Sequence, residues 1–239
     1  MSYRDRLGAA LLGAFICLGL AALGYQLGDA ALRVKQFERS VTAKGLAERE
    51  YPADVIIWPI EFTTAANDLP TLYSAVDQNT ARIRRFLREQ GVAGEEITAA
   101  APAVTDKSAQ AYGNGVRPEF RYTAMQTVTV YSSDVAGVRA IMGGLAELGK
   151  QGIAFTGSDY PSQTEYLFTR LNEVKPAMIE EATAQARRVA QKFAADSDSR
   201  LGKIRRASQG QFSIEARDGN NPHIKKVRVV STIEYYLAD

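Results

Sequence analysis

The stretch LNEVKPAMIEEATAQARRVAQKF (residues 171–193), continued by AADSDSRLGKIRRASQGQFSI (194–214), carries the reading on which the fold depends. Ile179, Ala182, Ala186, Val189 and Phe193 recur at spacings of three and four, which places them on one face of a helix. Glu180, Glu181, Arg187, Arg188 and Lys192 cover the other face. Asn172 can cap the start, and Pro176 stands in or beside the first turn, where a missing N–H costs little. Alanine dominates the apolar stripe. Small side chains let a helix axis come close to its support, and a one-sided helix finds that support best in a sheet. The polar run Asp196, Ser197, Asp198, Ser199 ends the helix, after which Ile204, Phe212 and Ile214 keep the even spacing of a strand.

Working outward, the segments on either side alternate between strand and helix patterns. Val41, Ala43 and Ala47 alternate with Thr42, Lys44 and Glu48 in a strand kinked at Gly45, and Ile56, Trp58, Ile60 and Phe62 share one face of the next, where Pro59 marks a bulge or an edge. Trp58 reads as core. Asp68 caps a helix whose inward stripe is Leu69, Leu72, Val76, Ile83 and Phe86 or Leu87, stopping at Gly91. Its outer side carries Arg82, Arg84, Arg85 and Arg88, a solvated or intersubunit face in preference to one that meets anionic lipid or phosphate. Ile97–Thr105 and Phe120–Tyr131 read as strands joined by a mobile hairpin loop around Tyr112, Gly113, Asn114 and Gly115. Val135–Leu148 is a third helix with Val138, Ile141, Leu145 and Leu148 inward and Gly149 at its end. Short strands follow at Ile153–Phe155 and Glu165–Thr169. The last strand, Val227–Leu237, alternates Val227, Val229, Ile233, Tyr235 and Leu237 with Lys226, Arg228 and Glu234. The expected class is α+β: helices packed on mixed, largely antiparallel sheets in two βαβ-like halves dividing near Ser132.

One N-terminal transmembrane helix is expected to precede them. Leu7 to Gly28 holds no charged residue, and its 22 residues span roughly 33 Å as a helix, about the thickness of a bilayer's hydrocarbon core. A cleaved signal has a shorter apolar region, so an uncleaved anchor over residues 1–33 is favoured, although Ala22, Leu23, Gly24 could serve as a cleavage signal. Arg4 and Arg6 before the helix balance Arg33, Lys35 and Arg39 after it, so charge alone does not orient it.

These residues also carry a resemblance. The run LNEVKPAMIEEAT, then AR, then KFAADSDSRLGKIRRASQGQFSI, and finally IKKVRVVSTIEYYL (224–237) resembles the C-terminal half of SIMPL-domain proteins, a bacterial family that includes periplasmic immunogenic proteins. VTAKGLAERE (41–50), followed by Pro52, Asp54 and Trp58, is similar to that family's first two strands. Ala53 stands between Pro52 and Asp54, which many members have adjacent. The resemblance covers about Val34 to Leu237 and implies a domain over residues 34–239. It implies a periplasmic domain on an inner-membrane anchor, single-pass and non-enzymatic, assembling into a ring-like homo-oligomer. It also implies a role in envelope integrity and tolerance of stress, including oxidative stress.

The chemistry-bearing residues point the same way. Twenty-nine Lys and Arg against 27 Asp and Glu remove the broad electrostatic reason to expect nucleic acid. Cys17, the single cysteine, lies in the apolar helix, which excludes an intramolecular disulfide and a cysteine metal site. His223, the single histidine, falls in the turn DGNNPH, where it is expected to face solvent. No phosphate-binding loop, HExxH, EF-hand or dinucleotide fingerprint occurs. Gly210 reads as a bulge or close packing, and adjacent Glu180 and Glu181 diverge by about 100° on a helix, which does not make an acid–base pair. No catalytic residue, cofactor site or metal site is therefore assigned. Two other classes stay open: a hydrolase with a carboxylate or serine site, and a module binding lipid or another apolar ligand on Tyr- and Phe-rich strand faces.

Overall fold

The computed structural model describes residues 3–36, 39–109, 119–156 and 163–238, with the side chains of the first helix described over 13–30. The expected hairpin loop around Tyr112–Gly115 lies outside the described residues. The chain runs α1 (Tyr3–Gln36), β1 (Ser40–Pro52), β2 (Val55–Ala66), α2 (Leu69–Glu89), β3 (Ile97–Ala99), β4 (Ala103–Asp106) and β5 (Tyr122–Ser132). It continues through α3 (Val135–Ile141), α4 (Leu145–Lys150), β6 (Ala154–Thr156), β7 (Glu165–Leu167), α5 (Leu171–Asp196), β8 (Arg200–Gln209), β9 (Ser213–Ala216) and β10 (Ile224–Ala238). The class is α+β, as the sequence implies. Two sheets form among the described residues: β1-β10-β8, with β9 also on β10, and β3-β5-β2-β6, with β4 on β5 and β7 on β2.

The chain forms two compact units, and they do not divide near Ser132. One comprises Met1–Glu48, Val174–Ser213 and Arg228–Asp239; the other comprises Arg49–Glu173 and Ile214–Val227. The boundaries fall inside β1, α5, β9 and β10. A division read along the sequence fails here because long-range pairing returns the C-terminal strand to the N-terminal one.

In the second unit, β2 is antiparallel to β5, β6 and β7, and β5 is antiparallel to β3 and β4. Helix α2 therefore joins two parallel strands, β2 and β3, that have β5 between them. This is a split βαβ, and the α3–α4 segment makes a second between β5 and β6. Asp68 caps α2 by accepting from Thr71 N–H at 2.9 Å, and Leu72, Val76, Ile83 and Leu87 are buried. They pack with Ile56, Trp58, Ile60, Phe62, Val128 and Val130 in one core. Leu69, expected inward, is 40% exposed. Pro59 is accommodated without an edge: β7 pairs with Val55–Ile57 and β6 with Glu61–Thr63, so no strand requires its N–H on that side. The expected third helix breaks at Gly143–Gly144. A Cβ at Gly144 would lie 2.6 Å from the Phe86 ring, so the chain approaches α2 closely there and a side chain would have to displace that ring. Pro102 likewise falls in the break between β3 and β4, which the sequence reads as one strand.

In the first unit the organising helix buries a different stripe from the one its large residues suggest. Met178, Ala182, Ala186, Ala190 and Ala194 are buried, whereas Val189 is 39% and Phe193 54% exposed. Gly45 supplies the reason. A Cβ there would overlap the Ala182 carbonyl oxygen and come within 2.5 Å of the Ala186 nitrogen, so strand and helix backbones touch and only alanines fit between them. Gly45 marks that approach rather than a kink. Ala43, Ile233 and Tyr235 complete this core. Helix α5 starts at Leu171, so Asn172 lies within it rather than capping it, and Pro176 is inside the helix. Strand β10 lies between β1 and β8 and is no edge. Gly210 follows β8 with its N–H bonded to the Val230 carbonyl at 2.8 Å, the expected close packing.

Candidate functional site

The densest polar constellation in the second unit gathers the β1–β2 turn, the residues before α5 and the β9–β10 turn. Asp54 is its centre. Its carboxylate accepts the Thr169 and Arg170 N–H groups at 2.9 and 3.2 Å and the Arg170 guanidinium at 3.1 Å. Burial alone would raise its pKa, but these donors outweigh it and hold the carboxyl below the usual range. Beside it, Tyr51 stacks on Phe168 at 5.2 Å, and Ala53 N–H donates to the His223 carbonyl at 2.8 Å. Asp54 thus does what Asn172 was expected to do, satisfying donors where the chain enters α5.

His223 does not face solvent. It is half-buried edge-on to Tyr166, with ring centroids 6.1 Å apart, and its Nδ1 is buried without a hydrogen-bond partner among the described residues. Burial, then the charges of Arg139 and Arg217, push its pKa down, so the imidazole is neutral near pH 7. The turn expected to expose it is instead closed by Asp218, which accepts the N–H groups of Asn220 and Asn221 at 2.9 and 2.8 Å and pairs with Arg217 at 2.9 Å. The Arg217 guanidinium, first among these contacts, holds the Asp218 pKa down at about 2.

Two further ion pairs tie strands. Arg121 grips Asp106 with two nitrogens, and Arg205 bonds Glu234 at 2.8 Å while Ser40 donates to the same carboxylate at 2.7 Å. In each constellation the carboxylate is engaged by an arginine together with backbone N–H groups or a serine hydroxyl. That arrangement ties turns and strands together. Among the described residues no three His, Cys, Asp or Glu side chains gather as metal ligands. Glu180 lines a shallow depression with Thr183, Ala184, Arg187 and Arg188. Arg84 and Arg88 line another with Gly94 and Ile97. Sequence reading missed Asp54 and Asp218 as turn locks, and Asp54 in particular because its donors lie 115 and 116 residues away.

The linked titrations of Asp54 and His223 give one expected result. Both folded pKa values are depressed, so the unfolded chain binds more protons and stability falls with falling pH. His223 acts first, from about its ordinary 6.5 downward, and Asp54 acts below about 3.8. Thermal melting followed from pH 8 to 3 should show His223→Gln flattening the upper part of the decline and Asp54→Asn the lower part. Asp54→Ala should in addition cost about 1–2 kcal/mol at neutral pH, as lost helix caps do. A melting profile unchanged by either substitution would remove both assignments.

No curated protein matches the chain. A family model matches residues 41–231, from β1 through most of β10, and its description is a protein of unknown function (DUF541). With four-fifths of the chain under that model, and with the strand and helix order its motifs imply now in place, the chain belongs to the SIMPL family.

Proposed function

We propose that this chain is a membrane-anchored SIMPL domain of the cell envelope, with its globular part on the periplasmic side of the inner membrane. Its work is structural: it assembles with copies of itself into a closed homo-oligomer that supports envelope integrity and stress tolerance. The observation that carries the reading is α1. Its stretch Gly13–Ala30 is apolar and long enough to cross a membrane, and none of it is buried against the rest of the chain. Phe15, Leu18, Leu20, Leu23 and Leu27 are each more than half exposed, so lipid is the medium that satisfies them. Assembly is favoured by what the sheets leave open. Strand β1 ends its sheet, and β5 turns Tyr131, 55% exposed, and Met125, 44% exposed, away from the core.

Full-length protein should stay in the membrane pellet through alkaline carbonate, and recovery in the supernatant would remove the anchor. In detergent, light scattering should give a particle several times the 26.1 kDa of one chain. A monodisperse monomer at micromolar concentration would remove the assembly.

A further inference from the structure

Strand β8 is exposed at eight of its ten positions, which is unusual for a strand lying beside a buried neighbour. On the face it shares with α5, Ile204 pairs with Tyr235, which is 1% exposed, yet Ile204 itself is 45% exposed. The buried face of the sheet therefore continues uncovered onto β8. Phe193, on the last turns of α5, is 54% exposed.

The same stretch carries the chain's strongest local charge. Arg187, Arg188, Lys192, Arg200, Lys203 and Arg206 are all exposed and have no ion-pair partner among the described residues. Arg205 is neutralised by Glu234, and the acids in the stretch are Asp196 and Asp198. Even with Glu180 beside Arg187 and Arg188, and Glu234 in register with Arg206, the cations outnumber the carboxylates here in a chain whose net charge is +2.

This surface lies in the unit that contains α1, and the chain ties the two ends together. The Arg39 guanidinium donates to Ser199 at 3.0 Å, in the turn between α5 and β8, and the Arg39 carbonyl accepts from Leu237 N–H at 2.9 Å. Gln36, the last residue of α1, is three residues before Arg39, a reach of at most about 10 Å. The helical stretch from Ala30 to Gln36 adds about 9 Å. The Arg39 backbone is thus held within about 20 Å of the end of the apolar span, and the Arg39 side chain carries the tie on to the α5–β8 corner at Ser199.

We propose that the corner formed by the end of α5 and by β8 docks on the anionic headgroups of the bilayer that α1 enters. Arg188, Lys192, Arg200 and Lys203 face lipid phosphates, and Phe193 and Ile204 sit among the headgroups. Exposed apolar groups interleaved with cations suit that layer, where each basic residue gains from the negative surface potential. The proposal rests on α1 being a membrane anchor.

The test uses the full chain in nanodiscs of phosphatidylcholine, with or without about one quarter phosphatidylglycerol. Modification of lysines by a water-soluble amine reagent is followed by mass spectrometry. Labelling of Lys192 and Lys203, taken relative to Lys150, should slow about fivefold in the anionic discs, the equivalent of roughly 1 kcal/mol per basic residue at such a surface. The difference should shrink in high salt and be lost in a variant combining Arg188→Gln, Arg200→Gln and Phe193→Ser, all exposed positions. Equal labelling in both kinds of disc overturns the docking and leaves the anchor standing. Protection that is the same in both discs but rises with protein concentration assigns the corner to a second copy and equally overturns it. Failure of the chain to enter either disc removes the anchor, and the docking with it.

Discussion

Gly45→Ala should unfold or gravely weaken the first unit. The added methyl would overlap the Ala182 carbonyl oxygen and lie 2.5 Å from the Ala186 nitrogen and 2.9 Å from the Ala182 carbonyl carbon. All three atoms are backbone, so no side chain can rotate away, and α5 must lift from β1 along its length. Lifting it opens gaps beside Ala43, Ala186 and Ala190, each at most 2% exposed. Overpacking of buried sites costs about 1–3 kcal/mol and occasionally more, and a clash with fixed backbone belongs at or beyond the upper end. Against a total stability of about 5–15 kcal/mol, that loss should show as a large fall in the urea midpoint. Gly143→Ala is the control: no atom lies within 4 Å of a Cβ there, so stability should hold or rise by about 0.4–1 kcal/mol. Equal midpoints for Gly45→Ala and wild type would mean that helix and strand are not in backbone contact.

Tyr235 should respond in opposite ways to two substitutions. The residue is 1% exposed in the core of Ala43, Ala186, Ala190 and Ile233, and its hydroxyl has no hydrogen-bond partner among the described residues. Tyr235→Ala removes the largest side chain of that core and should cost about 3–5 kcal/mol, because alanines around the site have no side-chain length with which to fill the cavity. Tyr235→Phe keeps the ring and removes only a desolvated, unpaired hydroxyl. Leaving such a group unsatisfied costs about 1–3 kcal/mol, so Tyr235→Phe should be neutral or stabilising. Chemical denaturation of both variants checks this, and a loss above about 1 kcal/mol in Tyr235→Phe would show that the hydroxyl has a partner after all. Ser231, also on the inner side of β10 with an unpaired hydroxyl, fits the same environment.

The contrast between α2 and α5 shows how much of the fold could be read from residues alone. In α2, the cap at Asp68, the inward Leu72, Val76, Ile83 and Leu87 and the stop at Gly91, whose φ is +93°, all follow from local rules. Its large apolar residues point at a core that has room for them. In α5 the helix and its polar terminator were equally legible, but its buried face was not. Periodicity weights Ile179, Val189 and Phe193 by size, whereas Gly45, more than a hundred residues earlier and opposite Ala182 and Ala186, selects for smallness.

The functional reading divides in the same way. The length and apolarity of α1, the single cysteine and the even charge balance are properties of composition, and they alone pointed to an anchor and away from nucleic acid and disulfides. The role of Asp54 was not legible, because its donors at Thr169 and Arg170 reach it only once β7 pairs with β2. The burial of His223 was not either, since a turn rich in Asp, Asn and Gly reads as solvated until Tyr166 closes over it. What the sequence by itself determined is most of the elements and their order, the family and a helix apolar and long enough to cross a membrane, because each rests on interactions within a few turns or on hydropathy summed over a segment. Only the tertiary structure decided that β10 is central rather than an edge, that the two units interleave along the chain, and that β8 stands uncovered. Each of those depends on which distant strand supplies the next backbone hydrogen bonds, a choice made by packing across the whole chain and written in no single stretch of it.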